Sequence, residues 1–235
     1  EIWDKLLPDQ PTNTEYYRCR ADEYHRELFD AIMRASGIPS PLERFRLAQS
    51  QRFTLAEMAS NPVSLRMLEL LISLSGARHV LEIGSFIGLS AMTMAAALPA
   101  DGRLTTIEKF DEFAEIAERN FQENGLTSKI ELLRGDAFEL VPRLPAGTRF
   151  DIAFIDGNKE RYADYVRLVE PLISYGGLIL VDDSLFHGDV LNKTQQSEKG
   201  AGVRACLALA ATMNGYERLL LPLGNGLMIL RKLND

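Results

Sequence analysis

The sequence is poor in the residue types that mark extracellular and nucleic-acid-binding chains. Only two cysteines, Cys19 and Cys206, occur in 235 residues, and they lie far apart without metal-ligand spacing. Positive charge is in the minority, because 26 Lys and Arg residues stand against 33 Asp and Glu residues, a net charge of −7. This balance disfavours binding to phosphate backbones, and the cysteine usage predicts a reducing, cytoplasmic location.

Long apolar runs are also missing. The longest stretches, such as the one around Met92 to Leu98, are far shorter than the roughly 20 residues of a membrane span, so we expect no membrane partner. Hydrophobic residues make up 46% and charged residues 25%, which is ordinary for a folded globular chain. We predict one domain over residues 1–235, with a helical substrate or dimer region at 1–75 and an α/β core at 76–235.

Helical spacing of apolar residues dominates the first third of the chain. The predicted helices are Thr14–Ser36, which ends at Gly37-Ile38-Pro39, followed by Pro41–Met58 and Pro62–Ser75. After Gly76, short β-type runs alternate with helical runs. The predicted strands are His79–Ile83, Arg103–Ile107, Ile130–Leu133, Asp151–Ile155 and Leu178–Val181. The predicted intervening helices are Ala91–Leu98, Phe113–Asn124, Ala137–Leu144 and Arg161–Ile173.

The tail has a different organisation. A polar stretch from His187 to Gly200 precedes a helix through Leu207, and two further strands, Tyr216–Leu221 and Leu227–Arg231, follow without a helix between them. We therefore predict an α/β fold with a doubly wound, mostly parallel sheet of seven strands. N-terminal helices precede that sheet, and an antiparallel hairpin ends it.

A glycine-rich turn follows the first predicted strand in Val80-Leu-Glu-Ile-Gly-Ser-Phe-Ile-Gly-Leu-Ser90. Free amides and the helix dipole at such a turn can receive an anionic group, although an ordinary tight turn between strand and helix has the same spacing. A dinucleotide fingerprint needs glycine at the position of Phe86, so NAD and FAD are disfavoured.

Two further strand ends carry polar residues that suit a nucleoside. Glu108 ends the second strand, where a carboxylate can accept both ribose hydroxyls, and Gly135-Asp136-Ala137 follows the third strand, where it can hold an adenine edge. Asp136 is also a good cap for the helix that follows. With the glycine-rich turn, this pattern favours S-adenosylmethionine, which has a cationic sulfonium and a zwitterionic tail.

The glycine-rich segment resembles motif I of S-adenosylmethionine-dependent methyltransferases. The later residues are similar to the metal-dependent O-methyltransferases typified by catechol and caffeoyl-CoA O-methyltransferases, over about Met58 to the C-terminus. The resemblance implies a Rossmann-like methyltransferase fold and a homodimer. It implies cofactor contacts at Ser60, Glu82, Gly84, Ser90, Glu108, Asp136, Ala137 and Asp156.

Carboxylates and one amine follow the fourth and fifth predicted strands. Asp156 and Lys159 lie in Phe154-Ile-Asp-Gly-Asn-Lys, and Asp182 and Asp183 lie in Leu180-Val-Asp-Asp-Ser. Carboxylates at neighbouring strand ends repel each other unless a hard divalent cation binds them, so we expect magnesium, with calcium or manganese as alternatives. The other interpretation is that the aspartates cap a turn and that Lys159 is an exposed residue at a helix start.

The family resemblance assigns roles to these residues. It implies metal ligands at Asp156, Asp182 and Asp183, and it places Lys159 at the catalytic lysine that takes a proton from the metal-bound hydroxyl. The sequence departs from the family pattern at three positions, with Leu89 for a frequent Tyr, Asn158 for Asp or His, and Asp183 for Asn.

The sequence therefore predicts an O-methyltransferase that moves the S-adenosylmethionine methyl group to a metal-bound hydroxyl of a small catechol-like, phenolic or natural-product acceptor. Segments Ser40–Ser60 and His187–Gly200 are expected to shape the acceptor pocket. One alternative is methylation of a hydroxylated tRNA base by the same family. Another is a cofactor-binding regulatory protein whose chemistry has degenerated.

Overall fold

The computed structural model describes residues 27, 31–39, 41–53 and 58–234. The chain divides into two compact units, Glu1–Pro39 and Ser40–Asp235. In the first unit, residues 31–36 are helical, and Gly37, with a φ of 58°, ends this helix as the sequence predicts. The remainder of the predicted helix Thr14–Ser36 lies almost wholly outside the described residues.

The second unit alternates strands and helices after a helical start. Its α-helices are α1 Pro41–Arg44, α2 Pro62–Ser75, α3 Leu89–Ala97, α4 Asp111–Glu123, α5 Ala137–Leu140, α6 Tyr162–Val169 and α7 Glu198–Thr212. Its strands are β1 His79–Ile83, β2 Arg103–Glu108, β3 Ile130–Arg134, β4 Phe150–Ile155, β5 Ile173–Val181, β6 Tyr216–Leu221 and β7 Leu227–Lys232. None of the helices in the described part of the chain combines the length and apolar character that a membrane crossing requires.

The seven strands form one sheet in the order β3-β2-β1-β4-β5-β7-β6. The first five strands pair in parallel, whereas β7 runs antiparallel to both β5 and β6. The predicted doubly wound, mostly parallel sheet and its antiparallel C-terminal hairpin are confirmed.

Apolar side chains cover both faces of the sheet. Helices α2, α3 and α4 pack on one face around Leu68, Met92 and Phe121, and α5, α6 and α7 pack on the other around Tyr162 and Cys206. All five of these side chains are at most 3% exposed. Because both faces are buried, β4 and the second half of β5 are apolar along nearly their whole length.

The strand order reverses between β1 and β4, which places a switch point at the centre of the parallel part of the sheet. Ligands of open α/β sheets bind outside the carboxyl ends of the strands at such a point. Backbone bonds align these ends. The amide of Gly84 donates to Ile107, that of Asp156 to Ile83, and that of Asp182 to Ile155.

The predicted helix Pro41–Met58 is wrong over most of its described part. Helix α1 ends at Arg44, and residues 46–50 have no regular secondary structure. The backbone amide of Ala48 donates to a side chain of α4, and that of Arg46 to the residue that caps the end of α4, instead of to carbonyls one helical turn earlier. Tertiary contacts therefore override the helical spacing of this segment.

The predicted boundary between helix Arg161–Ile173 and strand Leu178–Val181 is also wrong. Helix α6 ends at Val169, a 3₁₀ turn at Glu170–Leu172 includes a proline, and β5 already begins at Ile173. Ile173 pairs with Phe150 across an irregularity in the strand register, and Gly176 adopts a φ of 74° there. Gly176 and Gly177 therefore lie within the strand.

Gly88 is a position where only glycine fits. It precedes α3 with a φ of 87°, and a Cβ added there would lie 2.3 Å from Cε1 of Phe121 on α4. Gly125, just after α4, has a similar φ of 66°, but a Cβ there would meet nothing within 4 Å. Comparing alanine substitutions at Gly88 and Gly125 therefore separates two energetic costs, that of a left-handed backbone and that of a steric clash with Phe121.

Replacing Gly88 by Ala should destabilise the protein more than replacing Gly125 by Ala. The left-handed conformation costs roughly 1–2 kcal/mol in both variants, and overpacking against Phe121 adds about 1–3 kcal/mol only in Gly88→Ala. Free energies of unfolding from denaturant titration measure the difference. Equal losses in the two variants would contradict the close contact between the glycine-rich turn and α4.

Candidate active site

The glycine-rich turn between β1 and α3 lies directly against the end of β4. Gly84 has a φ of 96°, and a Cβ there would lie 2.3 Å from the carbonyl oxygen of Asp156. Phe86 adopts a φ of 50°, which is uncommon for a residue other than glycine. Ser90 follows in the first turn of α3. The turn thus lies beside the switch point of the sheet, and the amides of Gly84 and Gly88 donate to the carbonyls of Ile107 and Ser85.

Glu82, in β1, is a fully buried carboxylate behind this turn. The hydroxyl of Thr106 donates to its Oε2 at 2.5 Å, whereas Oε1 has no hydrogen-bond partner among the described residues. Burial raises the pKa of Glu82 to about 7, against the opposing effect of the nearby Ser90 and Thr106 hydroxyls. A buried acceptor oxygen without a partner is costly unless a ligand supplies a donor or a positive charge.

Glu108, at the end of β2, joins two backbone segments. Its Oε2 accepts the amide of Phe86 at 2.8 Å, and its Oε1 accepts the amide of Phe110 at 2.9 Å. The residue is 5% exposed, and burial raises the pKa of its carboxyl group. Each carboxylate oxygen has two lone pairs, so each oxygen retains capacity for one further hydroxyl donor.

Asp136 caps helix α5. Its Oδ1 accepts the amide of Phe138 at 2.9 Å, and its Oδ2 pairs with Lys109 at 2.9 Å. This hydrogen bond from Lys109 lowers the pKa of Asp136, and the amide of Phe138 adds to the effect. Ala137, the first residue of α5, is buried. The capping interpretation of Asp136 is therefore confirmed, and it leaves the helix start beside the end of β3.

Asp156, just after β4, is the centre of a polar cluster. The Ser60 hydroxyl donates to its Oδ2 at 3.2 Å. On the other oxygen, Oδ1, the Lys159 Nζ and the Tyr162 hydroxyl each donate at 3.4 Å. Tyr162 is fully buried at the start of α6 and was not expected from the sequence, because it looks there like an ordinary apolar residue of a helix face.

The two aspartates after β5 complete the cluster but differ in their surroundings. Asp182 is 3% exposed, and its Oδ1 accepts the amide of Asp183 at 3.0 Å. Asp183 is half-buried, and its Oδ2 pairs with Lys159 Nζ at 2.8 Å. Asp183 has a φ of 52°, and the left-handed region favours Asn and Asp among residues other than glycine.

The charges in this cluster do not balance. Burial, together with the charge of Asp183, raises the pKa of Asp156 to about 6, and burial next to both neighbouring aspartates raises the pKa of Asp182 well above its usual value. Burial lowers the pKa of Lys159, but Asp156 and Asp183 outweigh it and the net shift is upward. If all three carboxylates ionise, one ammonium leaves two negative charges without compensation.

The predicted site residues lie along one edge of the sheet. They follow the strands in the spatial order β3, β2, β1, β4 and β5, so Asp136 and the aspartate cluster lie at opposite ends of the row. Lys159, Ser60 and the three aspartates form one contacting group, and Glu82, Gly84, Ser90 and Glu108 surround the glycine-rich turn. In the part of the chain that the structure describes, no three Asp, Glu, His or Cys side chains have the arrangement of a formed metal site.

One known protein family matches most of the chain. The family model described as O-methyltransferase matches residues 35–233. The chain belongs to this O-methyltransferase family.

Characterised relatives agree with the family. A catechol O-methyltransferase of Niastella koreensis is 36% identical over 140 residues, which cover 58% of this chain and 63% of that protein. A catechol O-methyltransferase of Mycobacterium tuberculosis is 33% identical over 158 residues, which cover 67% of this chain and 71% of that protein. The alignment spans less than two thirds of the Niastella protein and slightly more than two thirds of the Mycobacterium protein.

Solved structures support the same conclusion. The O-methyltransferase TomG of Streptomyces achromogenes, involved in tomaymycin synthesis and solved in complex with S-adenosylmethionine, is 30% identical with a TM-score of 0.71. That similarity covers 75% of this chain and 82% of TomG. An O-methyltransferase of Bacillus cereus shares the fold, with a TM-score of 0.71 at 22% identity over 98% of this chain and 97% of that one. The family match and the similarity to TomG support O-methyl transfer with S-adenosylmethionine, and the Bacillus cereus structure supports the fold.

Burial of Glu82 leads to a prediction about stability and pH. The folded protein retains the Glu82 proton up to about pH 7, whereas an unfolded chain releases it near the ordinary value of 4.5. Between these values the folded state binds more protons, so the free energy of unfolding should fall as pH rises, by up to about 3 kcal/mol from this group.

The variant Glu82→Gln has no carboxyl group to ionise and should show a smaller decline over this range. Urea titrations of both proteins at pH 5, 6, 7 and 8, without added ligand, measure the difference. Parallel curves for the two proteins would contradict the raised pKa of Glu82.

Proposed function

We propose that this protein transfers the methyl group of S-adenosylmethionine to a hydroxyl of a small catechol-like, phenolic or natural-product acceptor, with a divalent cation at the aspartate cluster. The observation that carries this proposal is the row of site residues along one sheet edge. Five adjacent strand ends, each about 4.8 Å from the next, offer a length that suits an extended nucleoside with an amino-acid tail. The catechol O-methyltransferase relatives support the acceptor class.

The residues at the centre of the row fit the cofactor. Glu108 has lone pairs left for two ribose hydroxyls, and Asp136 with Ala137 would border the adenine at the end of β3. The unpartnered Oε1 of Glu82 suits a cationic group, such as the ammonium of the cofactor tail. Gly84 leaves no side chain in the way, and Ser90 adds a hydroxyl at the helix start. Nearest the aspartate cluster, Ser60 and Asp156 would border the methyl-bearing end of the cofactor.

The aspartate cluster fits a divalent cation by the chemistry of its donors. Asp156, Asp182 and Asp183 would hold it, because hard cations such as magnesium prefer carboxylate oxygens, and two charges remain uncompensated there. Such a cation, when bound, would lower the pKa of an acceptor hydroxyl. Calcium and manganese are alternatives with the same ligand preference.

Lys159 is proposed to take the acceptor proton on Nζ. Nζ lies 3.4 Å from Asp156 and 2.8 Å from Asp183, so it borders both carboxylates. It would accept the proton as the neutral amine, once a bound cation offsets the negative charges that raise its pKa. Tyr162 donates to the same oxygen of Asp156 as Lys159 and would keep that carboxylate oriented.

Three further expectations belong to the same proposal. Segments 40–60 and 187–200 would shape the acceptor pocket, with residues 1–75 as the substrate or dimer region of a single methyltransferase domain. The protein would form a homodimer in the cytoplasm.

Transfer of a labelled methyl group to a panel of catechols, flavonoids and hydroxylated polyketides tests the reaction itself. Absence of transfer to every acceptor would favour a regulatory protein without this chemistry.

Replacing Lys159 by Met should reduce turnover roughly 10²- to 10⁴-fold, because that is the usual contribution of a general base. Affinity for S-adenosylhomocysteine should stay unchanged, since Nζ would not contact the cofactor. Steady-state methyl transfer and calorimetric titration measure the two quantities. Glu108→Ala is the matched control with the opposite expectation, a loss of cofactor affinity.

Lys159→Arg separates proton transfer from charge, because the guanidinium keeps the positive charge but does not release its proton near neutral pH. If Lys159 is the base, this variant should lose turnover as Lys159→Met does. Near-normal turnover in Lys159→Arg would assign the lysine an electrostatic role instead.

Replacing Asp183 by Asn should weaken metal binding, since it removes one of three negative ligands while retaining an oxygen donor and a side chain that tolerates the positive φ. Activity should then require more magnesium, whereas Asp156→Asn and Asp182→Asn should abolish metal-dependent turnover. Magnesium titration after chelator treatment compares all three variants with the wild type. Full wild-type activity in excess chelator would overturn the metal assignment.

A further inference from the structure

Asn120 in α4 and Asn124, which caps the end of α4, hold residues 46–50 in place. The Oδ1 of Asn120 accepts the amide of Ala48 at 2.7 Å, and its Nδ2 donates to the carbonyl of Ala48 at 3.1 Å. Asn124 repeats this pattern on Arg46, with its Oδ1 accepting the amide at 3.0 Å and its Nδ2 donating to the carbonyl at 2.8 Å. The side chains thus bond alternate residues of an irregular segment as a neighbouring strand would.

Asn120 differs from Asn124 in one respect. Its Nδ2 also donates to the carbonyl of Ile87, in the glycine-rich turn, at 2.8 Å, whereas the Nδ2 of Asn124 donates to the carbonyl of Asn120 within α4. A side-chain amide has two N–H donors, and Asn120 uses both of them on two different segments. Asn120 is fully buried; its bond to Ile87 is buried as well, whereas its bonds to Ala48 are partly buried.

Other contacts of α4 reinforce the same connection. Phe113 lies about two turns before Asn120 on the same face of α4. Its ring centroid is 4.9 Å from that of Phe86 in the turn and 6.2 Å from that of Phe53, which follows residues 46–50. Phe121 lies so close to Gly88 that no Cβ would fit between them. One face of α4 therefore contacts both the glycine-rich turn and residues 46–53.

We propose that Asn120 is a positioning residue that couples cofactor binding at the glycine-rich turn to the ordering of residues 46–50. A cofactor that fixes the turn would fix the Ile87 carbonyl, and the amide bound to it would then hold Ala48 in one orientation. Because residues 40–60 are proposed to border the acceptor, the cofactor would bind first and prepare the acceptor side. This inference rests on the proposed function for the identity of the cofactor.

The test compares Asn120→Ala with Asn124→Ala. Both variants release the held segment, but only Asn120→Ala also frees the turn. Calorimetric titration with S-adenosylhomocysteine should give about a tenfold weaker Kd for Asn120→Ala, the size expected when a buried hydrogen bond is lost, and a Kd within about twofold of wild type for Asn124→Ala. Hydrogen exchange of peptides covering residues 46–50 should be faster in both variants.

The effect of the cofactor product on hydrogen exchange gives a second measurement, beginning with the wild type. Saturating S-adenosylhomocysteine should slow exchange at residues 46–50 in the wild type and in Asn124→Ala but leave it unchanged in Asn120→Ala. Asn120→Asp, which retains the acceptor for Ala48 but has no N–H donor, should behave like Asn120→Ala. It serves in its place if the alanine variant does not fold.

The outcomes separate this inference from the function on which it rests. If the wild type does not bind S-adenosylhomocysteine, the proposed function fails, and this inference fails with it. If the wild type binds it but exchange at residues 46–50 does not respond, or if the two asparagine variants lose affinity equally, the coupling through Asn120 is wrong while the proposed function stands.

Discussion

The close approach of the glycine-rich turn to the end of β4 is the contact on which the rest of the site depends. Gly84 lies against the backbone carbonyl of Asp156, where any side chain would collide, and the Asp156 amide bonds back to Ile83. This approach brings the cofactor-side residues of β1 and the aspartate cluster after β4 to adjacent points of one edge. A wider turn would separate the two halves of the proposed reaction.

The aspartate cluster places acidic groups close together in a buried setting. Burial and mutual repulsion raise the pKa values of Asp156 and Asp182, and the single ammonium of Lys159 offsets only part of that charge. Such an arrangement lowers the stability of the ligand-free protein. Uncompensated charge of this kind is common at functional sites, where a ligand or ion supplies the missing compensation.

Helix α4 has a wider role than covering the sheet. Its inward face fills the space beneath the glycine-rich turn with Phe113 and Phe121, and Asn120 and the capping residue Asn124 hold residues 46–50 by hydrogen bonds. The helix therefore links the cofactor side to a segment proposed for the acceptor side.

The order of strands and helices after Gly76 could be predicted from the sequence, because apolar periodicity is a local property and each element is regular. Glu108, Asp136 and the aspartates after β4 and β5 could be named for a related reason, because they lie at strand ends and the ends of parallel strands meet at one edge. Ser60, Glu82 and Ser90 were implied only by the family resemblance. Helix and strand limits near Ile173, and the irregular course of residues 46–50, depend on partners far away in the chain, such as Phe150 and Asn120. The pairing of Lys159 with Asp183 and the hydroxyl of Tyr162 on Asp156 likewise arise only once the chain is packed. Local spacing determines which elements form, whereas the contacts that orient the functional side chains exist only in the tertiary structure, because their partners come from distant segments.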